Sequence, residues 1–326
     1  MRVDIDLDAE GRTDGRLIIP VTTERAPFGI VEVPVASIRR SAGPRVLLMA
    51  GCHGDEREGQ IALRRLLREL DPEMVSGQLI ILPAANAPAA NAGTRLSPID
   101  GGNLNRAMPG DHQGDPTARI ARWLADVIPT CDLVIDLHGG GLPIEYLPSA
   151  MIATVADEAL NRRTCTLAEA MALPVTFFVD PADDAPSSIL GYCASVGVPN
   201  LSVEIGGGAA ISGEHVVTLL AALRRALNAV AAVASGKGTH VASTMFCRRL
   251  PAAQAVIAPA SGLFEPRVAL GAQVRSGDLL AEIHVIDAAE SAPIPVLAPL
   301  PGIILCRRVT TTTFRGEGLF RLGQSV

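Results

Sequence analysis

The chain has 326 residues, of which 48% are hydrophobic and 3% are aromatic, and its formal net charge is -6 at pH 7. A chain of this length is expected to form one large core together with a smaller module, and its apolar content permits that core. The scarcity of aromatic residues and the lack of a basic block exclude nucleic acid and membrane surfaces as expected partners.

The cysteines and the N-terminus indicate where the protein works. Six cysteines are scattered without a Cys-x-x-Cys pair, which disfavours a disulfide scaffold and a structural zinc cluster. The N-terminal segment is acidic and has no apolar run of the required kind, so no signal peptide is predicted. The most apolar long segment, residues 216–234, is interrupted by Arg224 and Arg225 and is too polar for a membrane-spanning helix. We therefore expect a reduced, cytoplasmic setting.

The first predicted elements are strands. Two short apolar runs in residues 1–40, Leu17–Val21 and Phe28–Val35, predict strands or a hairpin lying against the main body. The run Arg45–Ala50 is apolar throughout and stands between Gly-Pro and Gly, as expected of a buried parallel strand. The leucines that follow Gly59 fall on one helical face, so a strand-to-helix turn is predicted between the two elements.

This turn contains His53 and Glu56. Open α/β sheets bind ligands at the carboxyl edge of their strands, where such a turn lies. An imidazole and a carboxylate three residues apart form a two-ligand unit that suits zinc. Taken alone, the pair is equally compatible with a turn that carries solvated charges, and that alternative stays open.

A second buried strand is predicted at Gln78–Pro83, and an irregular stretch follows over residues 84–115. Gly, Pro, Asn and Asp are dense there, and a loop of this length in a compact domain is more often functional than idle. The loop carries Arg95, Asn105 and Arg106 as candidate functional residues. The alternative is two solvated arginines and a turn-forming asparagine.

The next strand predicts a second histidine at the same sheet edge. Asp115-Pro116 favours the start of a crossover helix, with Asp115 as the N-cap. The predicted strand Leu133–Leu137 then runs directly into His138. Alternation along a strand puts Asp136 on the same side as His138, where its carboxylate would orient a metal-bound imidazole. The alternative is a strand-end acid held by backbone amides.

A carboxylate marks the end of a further predicted strand. Residues 156–173 predict a helix, and Pro199–Ile205 predicts a strand that is followed by three glycines. Glu204, near the tip of that strand, is costly to bury without a partner, which makes it a candidate general base. Ser212 then favours the start of a long helix that extends to about Ala234.

The sequence pattern changes near residue 236. Beyond it, short Val, Ile and Leu runs alternate with Gly and Pro, which predicts an all-β module. We therefore divide the chain into an N-terminal β extension (1–40), a catalytic domain (41–236) and a C-terminal β domain (237–326). The glycine spacing of the last domain resembles the barrel-sandwich of biotinyl and lipoyl carriers, but Lys237 is the last lysine, so covalent cofactor carriage is not expected. The apolar β domain makes homo-oligomer formation a hypothesis.

Four of these side chains form one expected site. His53, Glu56 and His138 meet the rule of three protein ligands for a catalytic zinc ion, with one coordination position left open. Glu204 would act as the base, taking a proton from the zinc-activated water and passing it to the leaving nitrogen of an amide. The expected reaction is amide hydrolysis.

The loop residues add substrate recognition to this expectation. The guanidinium groups of Arg95 and Arg106, with the amide of Asn105, suit the recognition of a carboxylate and of a developing oxyanion. A rival chemistry would use Cys52 as a thiolate nucleophile with a histidine base. Adjacent residues at a strand end point in opposite directions, so Cys52 and His53 are poorly placed to pair, and the rival chemistry is disfavoured.

Five short motifs carry a resemblance to a known family. They are Gly51–Glu56, Gly93–Arg95, Asn103–Arg106, Asp136–Gly139 and Val203–Gly206. In this order and combination they resemble the succinylglutamate desuccinylase/aspartoacylase family, relatives of the zinc carboxypeptidases, over most of the chain. The resemblance implies an α/β fold with a zinc-carboxypeptidase-like mixed sheet flanked by helices and a C-terminal all-β barrel-sandwich-like domain.

The resemblance also implies roles for single residues. It implies one zinc ion per chain, held by His53, Glu56 and His138, with Glu204 as general base and acid. Arg95 would polarise the scissile carbonyl. The residues expected to bind the substrate are Asn105, Arg106 and Tyr146.

Two segments, Ser97–Asn103 and Glu145–Pro148, resemble the branch that includes ectoine-degradation deacetylases, which remove acetyl from N-acetyl-2,4-diaminobutyrate. Cys52, Ala87 and the glycines at 139–141 depart from the usual pattern and leave the substrate open. The expected function is hydrolysis of the amide bond of a small N-acylated amino acid. The alternatives are a metallocarboxypeptidase acting on short peptides and a non-catalytic protein that binds zinc and carboxylates.

Overall fold

The computed structural model describes residues 1–24, 26–181, 185–233, 243–251, 254–288 and 290–326. Its strands are, in chain order, β1 (Arg2–Asp4), β2 (Gly11–Thr23), β3 (Ala26–Arg40), β4 (Arg45–Ala50), β5 (Gly77–Leu82), β6 (Leu133–His138), β7 (Ile144–Ala153), β8 (Val175–Val179), β9 (Asn200–Gly207), β10 (Met245–Arg249), β11 (Val256–Ile257), β12 (Gly262–Pro266), β13 (Gln273–Val274), β14 (Leu279–His284), β15 (Ile294–Leu297), β16 (Gly302–Arg308), β17 (Thr312–Thr313) and β18 (Gly318–Ser325). Its α-helices are α1 (Glu58–Glu69), α2 (Ala87–Ala92), α3 (Pro116–Val127), α4 (Glu158–Met171), α5 (Ile189–Ser195) and α6 (Gly213–Ala229). Single turns of 3-10 helix occur at Pro72–Met74, Leu104–Arg106 and Ile128–Thr130.

A mixed sheet forms the frame of the molecule, with the order β1-β2-β3-β5-β4-β6-β9-β7-β8-β10-β18-β16-β13 among the described residues. Its centre is parallel, because β4 pairs in parallel with β5 and β6, and β6 with β9. Antiparallel pairs flank this centre at β3–β5 and β7–β9. The predicted mixed α/β fold is confirmed, and the carboxyl ends of β4, β6 and β9 meet at one edge of the sheet.

Helices cover both faces of the central sheet. Helices α1, α4 and α6 pack on one face, and α3 and α5 pack on the other. Strand β4 contributes to both cores, because Val46 and Leu48 belong to the first and Leu47 and Met49 to the second. Burial on both faces explains why this strand is apolar throughout and does not alternate. Each fully buried aliphatic side chain stabilises the fold by about 1.5–3 kcal/mol relative to exposure.

The N-terminal strands extend this sheet. The two predicted apolar runs are parts of the longer strands β2 and β3, which form a hairpin. Strand β3 pairs antiparallel with β5, with Ile38 opposite Leu79. Alternation along β3 buries Val31, Val33 and Val35 in the second core. The hairpin is thus hydrogen-bonded to the central sheet, and the division of the chain at residue 40 stays a prediction.

The C-terminal part of the chain is rich in strands, as predicted. Four of them form a separate sheet in the order β15-β14-β12-β17. Strand β10 lies parallel to β8, β16 lies antiparallel to β7, and β18 pairs with both β10 and β16. These pairings close a ring of five strands, β7-β8-β10-β18-β16, that joins the C-terminal strands to the main sheet. The predicted boundary near residue 236 and Lys237 lie outside the described residues, so the domain limits stay a prediction.

Two predictions about helices need correction. The stretch predicted as irregular contains helix α2, which begins after Asn86, whose side chain accepts a hydrogen bond from Ala89 N. The helix predicted to reach about Ala234 ends at Ala229, because Ala231 takes a positive φ of 56°, outside the helical region. Ala234 itself lies outside the described residues.

The start of α3 lies where it was predicted, whereas two other elements of the structure were not predicted. Asp115 stands at the N-cap of α3, as predicted, but its side chain makes no capping hydrogen bond. Strand β7 and helix α5 have no counterpart in the sequence analysis. No helix in the described part of the chain combines the length and apolarity that a membrane crossing requires.

Candidate metal centre and active-site cavity

The turn after β4 places His53 and Glu56 at the carboxyl edge of the sheet. Gly51 adopts a positive φ of 70°, which favours glycine, and begins the turn. A side chain at Gly54 would lie 2.0 Å from the backbone of Ala89, so the turn packs closely against α2. His53 and Glu56 are only 2% and 5% exposed. Both side chains are therefore held in a buried position just before the chain enters α1.

Three donor groups converge at this edge. His53 Nδ1 lies 2.7 Å from Glu56 Oε1, and His138 Nδ1 lies 2.8 Å from Glu56 Oε2. One donor atom from each of the three residues lies within 4.8 Å of the other two. Two imidazole nitrogens and a carboxylate oxygen are a donor set that zinc accepts in catalytic sites. The residues present therefore fit a zinc ion.

Opposite charges stabilise one another in this cluster. Burial alone would lower the pKa of His138, but the carboxylates of Asp136 and Glu56 outweigh it and raise that pKa well above its ordinary value. Burial alone would raise the pKa of Glu56, but the charge of His138 and hydrogen bonds from both imidazoles hold it well below its ordinary value. The cluster thus favours positive charge at the point that the three residues share, as a cation site requires.

Each histidine makes an outer contact through its second ring nitrogen. His138 Nε2 lies 2.7 Å from Asp136 Oδ2, on the side that strand alternation predicts. His53 Nε2 lies 3.1 Å from Asn103 Oδ1. Sequence reasoning missed Asn103 as a site residue. The only available signal was its place in the motif that also contains Asn105, because its contact with His53 spans 50 residues of sequence.

Glu204 stands beside the donor cluster. It is the register partner of His138 in the parallel pair of β6 and β9. Its Oε2 atom is buried and makes no hydrogen bond to the described residues. Burial raises the pKa of Glu204 to about 8. A carboxylate with one buried oxygen that lacks a hydrogen-bond partner among the described residues, next to a cation site, has the properties of a group that takes up a proton.

Arg95, Asn105 and Arg106 reach the same region from the long loop. Arg95 Nη1 lies 3.1 Å from Glu56 Oε1, and half of the Arg95 side chain is exposed. Asn105 Oδ1 accepts a hydrogen bond from Ile189 N at 3.0 Å, which fixes the orientation of the amide, and its Nδ2 atom lies 3.5 Å from His138 Nε2. Arg106 is exposed and donates to Asn105 O at 2.6 Å. The loop therefore presents two guanidinium groups and an amide beside the cluster.

These side chains line a cavity of about 390 Å³. The predicted site residues on its wall are His53, Glu56, Arg95, Asn105, Arg106, His138, Tyr146 and Glu204. Asp136 lies behind His138, in contact with its Nε2 atom. The structure thus brings all nine predicted residues to one place, and their functional roles stay predictions.

Two arginines from the C-terminal strands also line this cavity. Arg249 ends β10, and Arg321 lies in β18 opposite Cys306. Sequence reasoning missed both, because they reach the cavity only through the ring of five strands and follow no local motif. The Cys306 sulfur, burial and Glu204 together raise the pKa of Tyr146 well above its ordinary value, so this phenol stays protonated on the cavity wall.

The matched family profile agrees with this geometry. The profile of the succinylglutamate desuccinylase/aspartoacylase catalytic domain matches residues 42–230. The chain belongs to this family. All five motifs that carried the resemblance fall inside the matched range, so the predicted membership is confirmed.

Family members of similar length resemble the whole chain. The N-alpha-acetyl-L-2,4-diaminobutyric acid deacetylase of Halomonas elongata is 31% identical over 323 residues, which cover 99% of this chain and 94% of the relative. A crystal structure of a succinylglutamate desuccinylase/aspartoacylase from Rhodobacter sphaeroides is 32% identical, covers 100% of both chains and has a TM-score of 0.91. The product-bound structure of the ectoine utilization protein EutE (DoeB) from Ruegeria pomeroyi is 31% identical, covers 99% of this chain and 98% of that chain, and has a TM-score of 0.93.

Cys52, the candidate nucleophile of the rival chemistry, lies next to the donor cluster. It is fully buried and does not line the cavity. Burial, followed by the charges of Asp136 and Glu56, raises the pKa of the Cys52 thiol well above its ordinary value, which opposes the thiolate that a nucleophile needs. Cys52, Asp136 and His138 form a second group of three donors within 4.8 Å, but that group has no opening to the cavity through Cys52.

Proposed function

We propose that this family member hydrolyses the amide bond of a small N-acylated amino acid, with one zinc ion per chain held by His53, Glu56 and His138. The observation that carries the proposal is the convergence of these three donors beside Glu204 in one cavity. The catalytic description of the family and the deacetylase among its relatives support an N-acyl amino acid hydrolase.

In the proposed reaction, the metal supplies Lewis acidity and Glu204 transfers the proton. A zinc ion in this site would supply Lewis acidity for the scissile carbonyl and for the attacking water. Glu204 takes the proton from that water and gives it to the leaving nitrogen. Its raised pKa suits both steps, because a base is most effective when its pKa lies near the working pH.

The loop residues bind and polarise the substrate in this proposal. Arg95 lies nearest to the donor cluster and stabilises the oxygen of the scissile carbonyl as negative charge develops on it. Asn105 and Arg106 lie on adjacent positions of one turn and hold the free carboxylate of the amino acid, which a guanidinium fork suits. Tyr146, which also lines the cavity and has a protonated hydroxyl, donates a hydrogen bond to the substrate.

A metal assay combined with a substrate panel tests the proposal. The purified chain should contain close to one zinc per chain by elemental analysis. It should hydrolyse at least one of N-acetyl-2,4-diaminobutyrate, N-acetylaspartate and N-succinylglutamate, and the first is the natural starting point because a relative is named for that substrate. Release of the free amino acid, followed by chromatography, gives the rate.

The panel also separates the alternatives. Cleavage of a dipeptide with a blocked amine, without cleavage of N-acyl amino acids, would identify a metallocarboxypeptidase. A zinc-loaded protein that binds the carboxylated compounds and turns over none of a broad N-acyl panel would identify a binding protein. Fractionation of cells and sedimentation of the purified protein would test the predicted cytoplasmic location and the hypothesis of self-association.

A further inference from the structure

We infer that Asp100 is a positioning residue that caps helix α3 from within the long loop and so holds the segment that presents Asn105 and Arg106 to the cavity. The inference rests on the proposed function, because it takes Asn105 and Arg106 to bind the substrate. It gives a role in binding to a residue that does not line the cavity.

Helix α3 takes no cap from the residue that precedes it. Asp115 occupies the N-cap position, but its exposed side chain makes no capping hydrogen bond. Pro116, the first helical residue, has no N–H group, so the first N–H group that the helix leaves without a partner is that of Thr117. Asp100 Oδ2 accepts a hydrogen bond from this group at 2.7 Å. A carboxylate 17 residues before Thr117 therefore caps the helix.

The second oxygen of the same carboxylate binds the loop as well as the helix. Asp100 Oδ1 accepts from Gly102 N at 3.0 Å and from the Thr117 hydroxyl at 2.9 Å. Burial alone would raise the pKa of Asp100, but hydrogen bonds from Ser97, Thr117 and Gly102 outweigh it and lower that pKa below its ordinary value. Asp100 is thus ionised at neutral pH, which suits a position beside the positive end of a helix.

Residues 97–102 form a compact loop that lies against α3. Ser97 N donates to Gly102 O at 3.0 Å, and Gly101 N donates to Ser97 O at 2.8 Å. A side chain at Gly102 would lie 2.3 Å from Thr117 Oγ1, so the loop and the first turn of the helix are in direct contact. The carboxylate of Asp100 lies at this contact and accepts hydrogen bonds from both sides of it.

This contact lies directly before the residues that hold the substrate carboxylate in the proposed function. Only one residue separates Gly102 from the turn Leu104–Arg106. Arg106 is exposed, and among the described residues its guanidinium hydrogen-bonds only to the backbone of that turn. The position of Arg106 therefore depends on the backbone that Asp100 anchors.

Arg95, which precedes the compact loop, is held independently of Asp100. Gly54 N donates to Thr94 O at 2.9 Å, and Arg95 Nη1 lies 3.1 Å from Glu56 Oε1. Loss of the Asp100 carboxylate should therefore disturb binding of the substrate carboxylate more than polarisation of the scissile carbonyl. It should raise KM and leave kcat nearly unchanged, because the loop occupies its binding position for a smaller fraction of the time.

Three variants separate the cap from the loop contact. Asp100→Ala removes both. Asp100→Asn keeps one oxygen for Thr117 N, and asparagine caps helices as well as aspartate does, but its NH2 group cannot accept from Gly102 N. Asp115→Ala is the matched control, because it removes the other aspartate at the start of α3, which makes no capping hydrogen bond.

The readouts are the melting temperature and the separate effects on KM and kcat, with the best substrate of the panel. We expect Asp100→Ala to lower the melting temperature by about 2–4 °C. It should raise KM by about 3- to 30-fold, the range in which loss of a cap changes a local equilibrium, with kcat within about twofold of the parent. Asp100→Asn should keep a melting temperature close to that of the parent and still raise KM by about threefold or more. Asp115→Ala should match the parent in every readout.

The inference is overturned if the parent is active and Asp100→Ala folds with a KM within about twofold of the parent, or if Asp115→Ala raises KM as much as Asp100→Ala does. A parental KM in Asp100→Asn would also overturn it, because the bond to Gly102 would then have no part in positioning the loop. If Asp100→Ala fails to fold, Asp100→Asn decides by this criterion. A parent chain that hydrolyses no member of the panel would instead overturn the proposed function, so the two failures are distinct.

Discussion

Glu204 and His138 are register partners on adjacent parallel strands, so the predicted general base and a predicted metal ligand lie side by side. The pairing of β6 with β9 sets this relationship before any side chain is considered. His138 is the last residue of β6, which is buried on both faces, and Glu204 lies opposite it in β9, three residues before that strand ends.

Glu204→Gln should lower kcat by about 10²- to 10⁴-fold while zinc content stays near that of the parent, because the amide cannot take up the proton but the three metal ligands are untouched. Steady-state rates on the best substrate of the panel, with elemental analysis of the same samples, check this. Glu214→Gln, at the exposed first turn of α6, is the control. Parental turnover in Glu204→Gln would rule out the assigned base.

Removal of the metal should abolish activity and lower the melting temperature. The two carboxylates and two imidazoles of the cluster are buried, and without a cation their charges are less well compensated. Zinc at about 100 times its Kd would stabilise the folded state by about 2.7 kcal/mol. Thermal unfolding with a chelator, and then with zinc restored, measures both effects. An unchanged melting temperature together with full activity in chelator would contradict the metal assignment.

Arg95 and Arg106 should affect different kinetic constants. Arg95→Ala removes the guanidinium beside Glu56 and should lower kcat by about 10²- to 10³-fold, because its effect is greatest as charge develops. Arg106→Ala removes a charged hydrogen bond, worth about 1.5–3 kcal/mol, and should mainly raise KM. Arg16→Ala, on the exposed N-terminal hairpin, is the control. Equal effects of both variants on kcat alone would contradict this division of roles.

Gly141→Ala should destabilise the protein more than Gly101→Ala does. Both glycines have similar positive φ values, 59° and 67°, so both substitutions carry the same backbone cost of about 1–2 kcal/mol. Only at Gly141 would the added Cβ clash, at 2.4 Å from Asp55 Oδ2, whereas at Gly101 it meets nothing within 4 Å. The clash should add about 1–3 kcal/mol and disturb the turn that carries Glu56. Urea unfolding of both variants measures the difference, and equal losses would show that Asp55 moves freely.

A chain that ends at Val233 should not fold into a stable, soluble protein. Strands β7 and β8 would lose their pairing to β16 and β10 and become exposed edges. Met151 and Phe177 would lose the cover of Ile303 and Leu305. Expression of the shortened chain, followed by circular dichroism and size-exclusion chromatography, tests this. A monomer with cooperative unfolding would show that the predicted catalytic domain is independent.

The residues of the donor cluster could be predicted from the sequence because parallel strands that are buried on both faces must be apolar throughout. Against such runs, a histidine or glutamate near the carboxyl end of the strand stands out, as do His53, His138 and Glu204. Parallel strands of one sheet share a carboxyl edge, so three separate strand ends predicted one site. Strand alternation likewise predicted that Asp136 and His138 share a side.

Elements whose sequences show no clear strand or helix periodicity could not be predicted in this way. Strand β7 begins with half-buried and polar residues and contains Pro148, which hides its periodicity. Helix α5 has seven residues and includes Gly191, too few and too varied for a helical pattern to emerge. These two elements nevertheless supply Tyr146 to the cavity and Ile189 N to Asn105.

By itself, the sequence determined the parallel strands β4, β5, β6 and β9 at the centre of the sheet, the polar residues near their carboxyl ends and, through five motifs, the family to which the chain belongs. Only the tertiary structure decided which residues surround them: Asn103 behind His53, and Arg249 and Arg321 on the cavity wall. The reason is physical. Local patterns record which faces of a strand or helix are buried, whereas contacts across 50 residues or more depend on how the strands pair and close into a ring, and no local period carries that information.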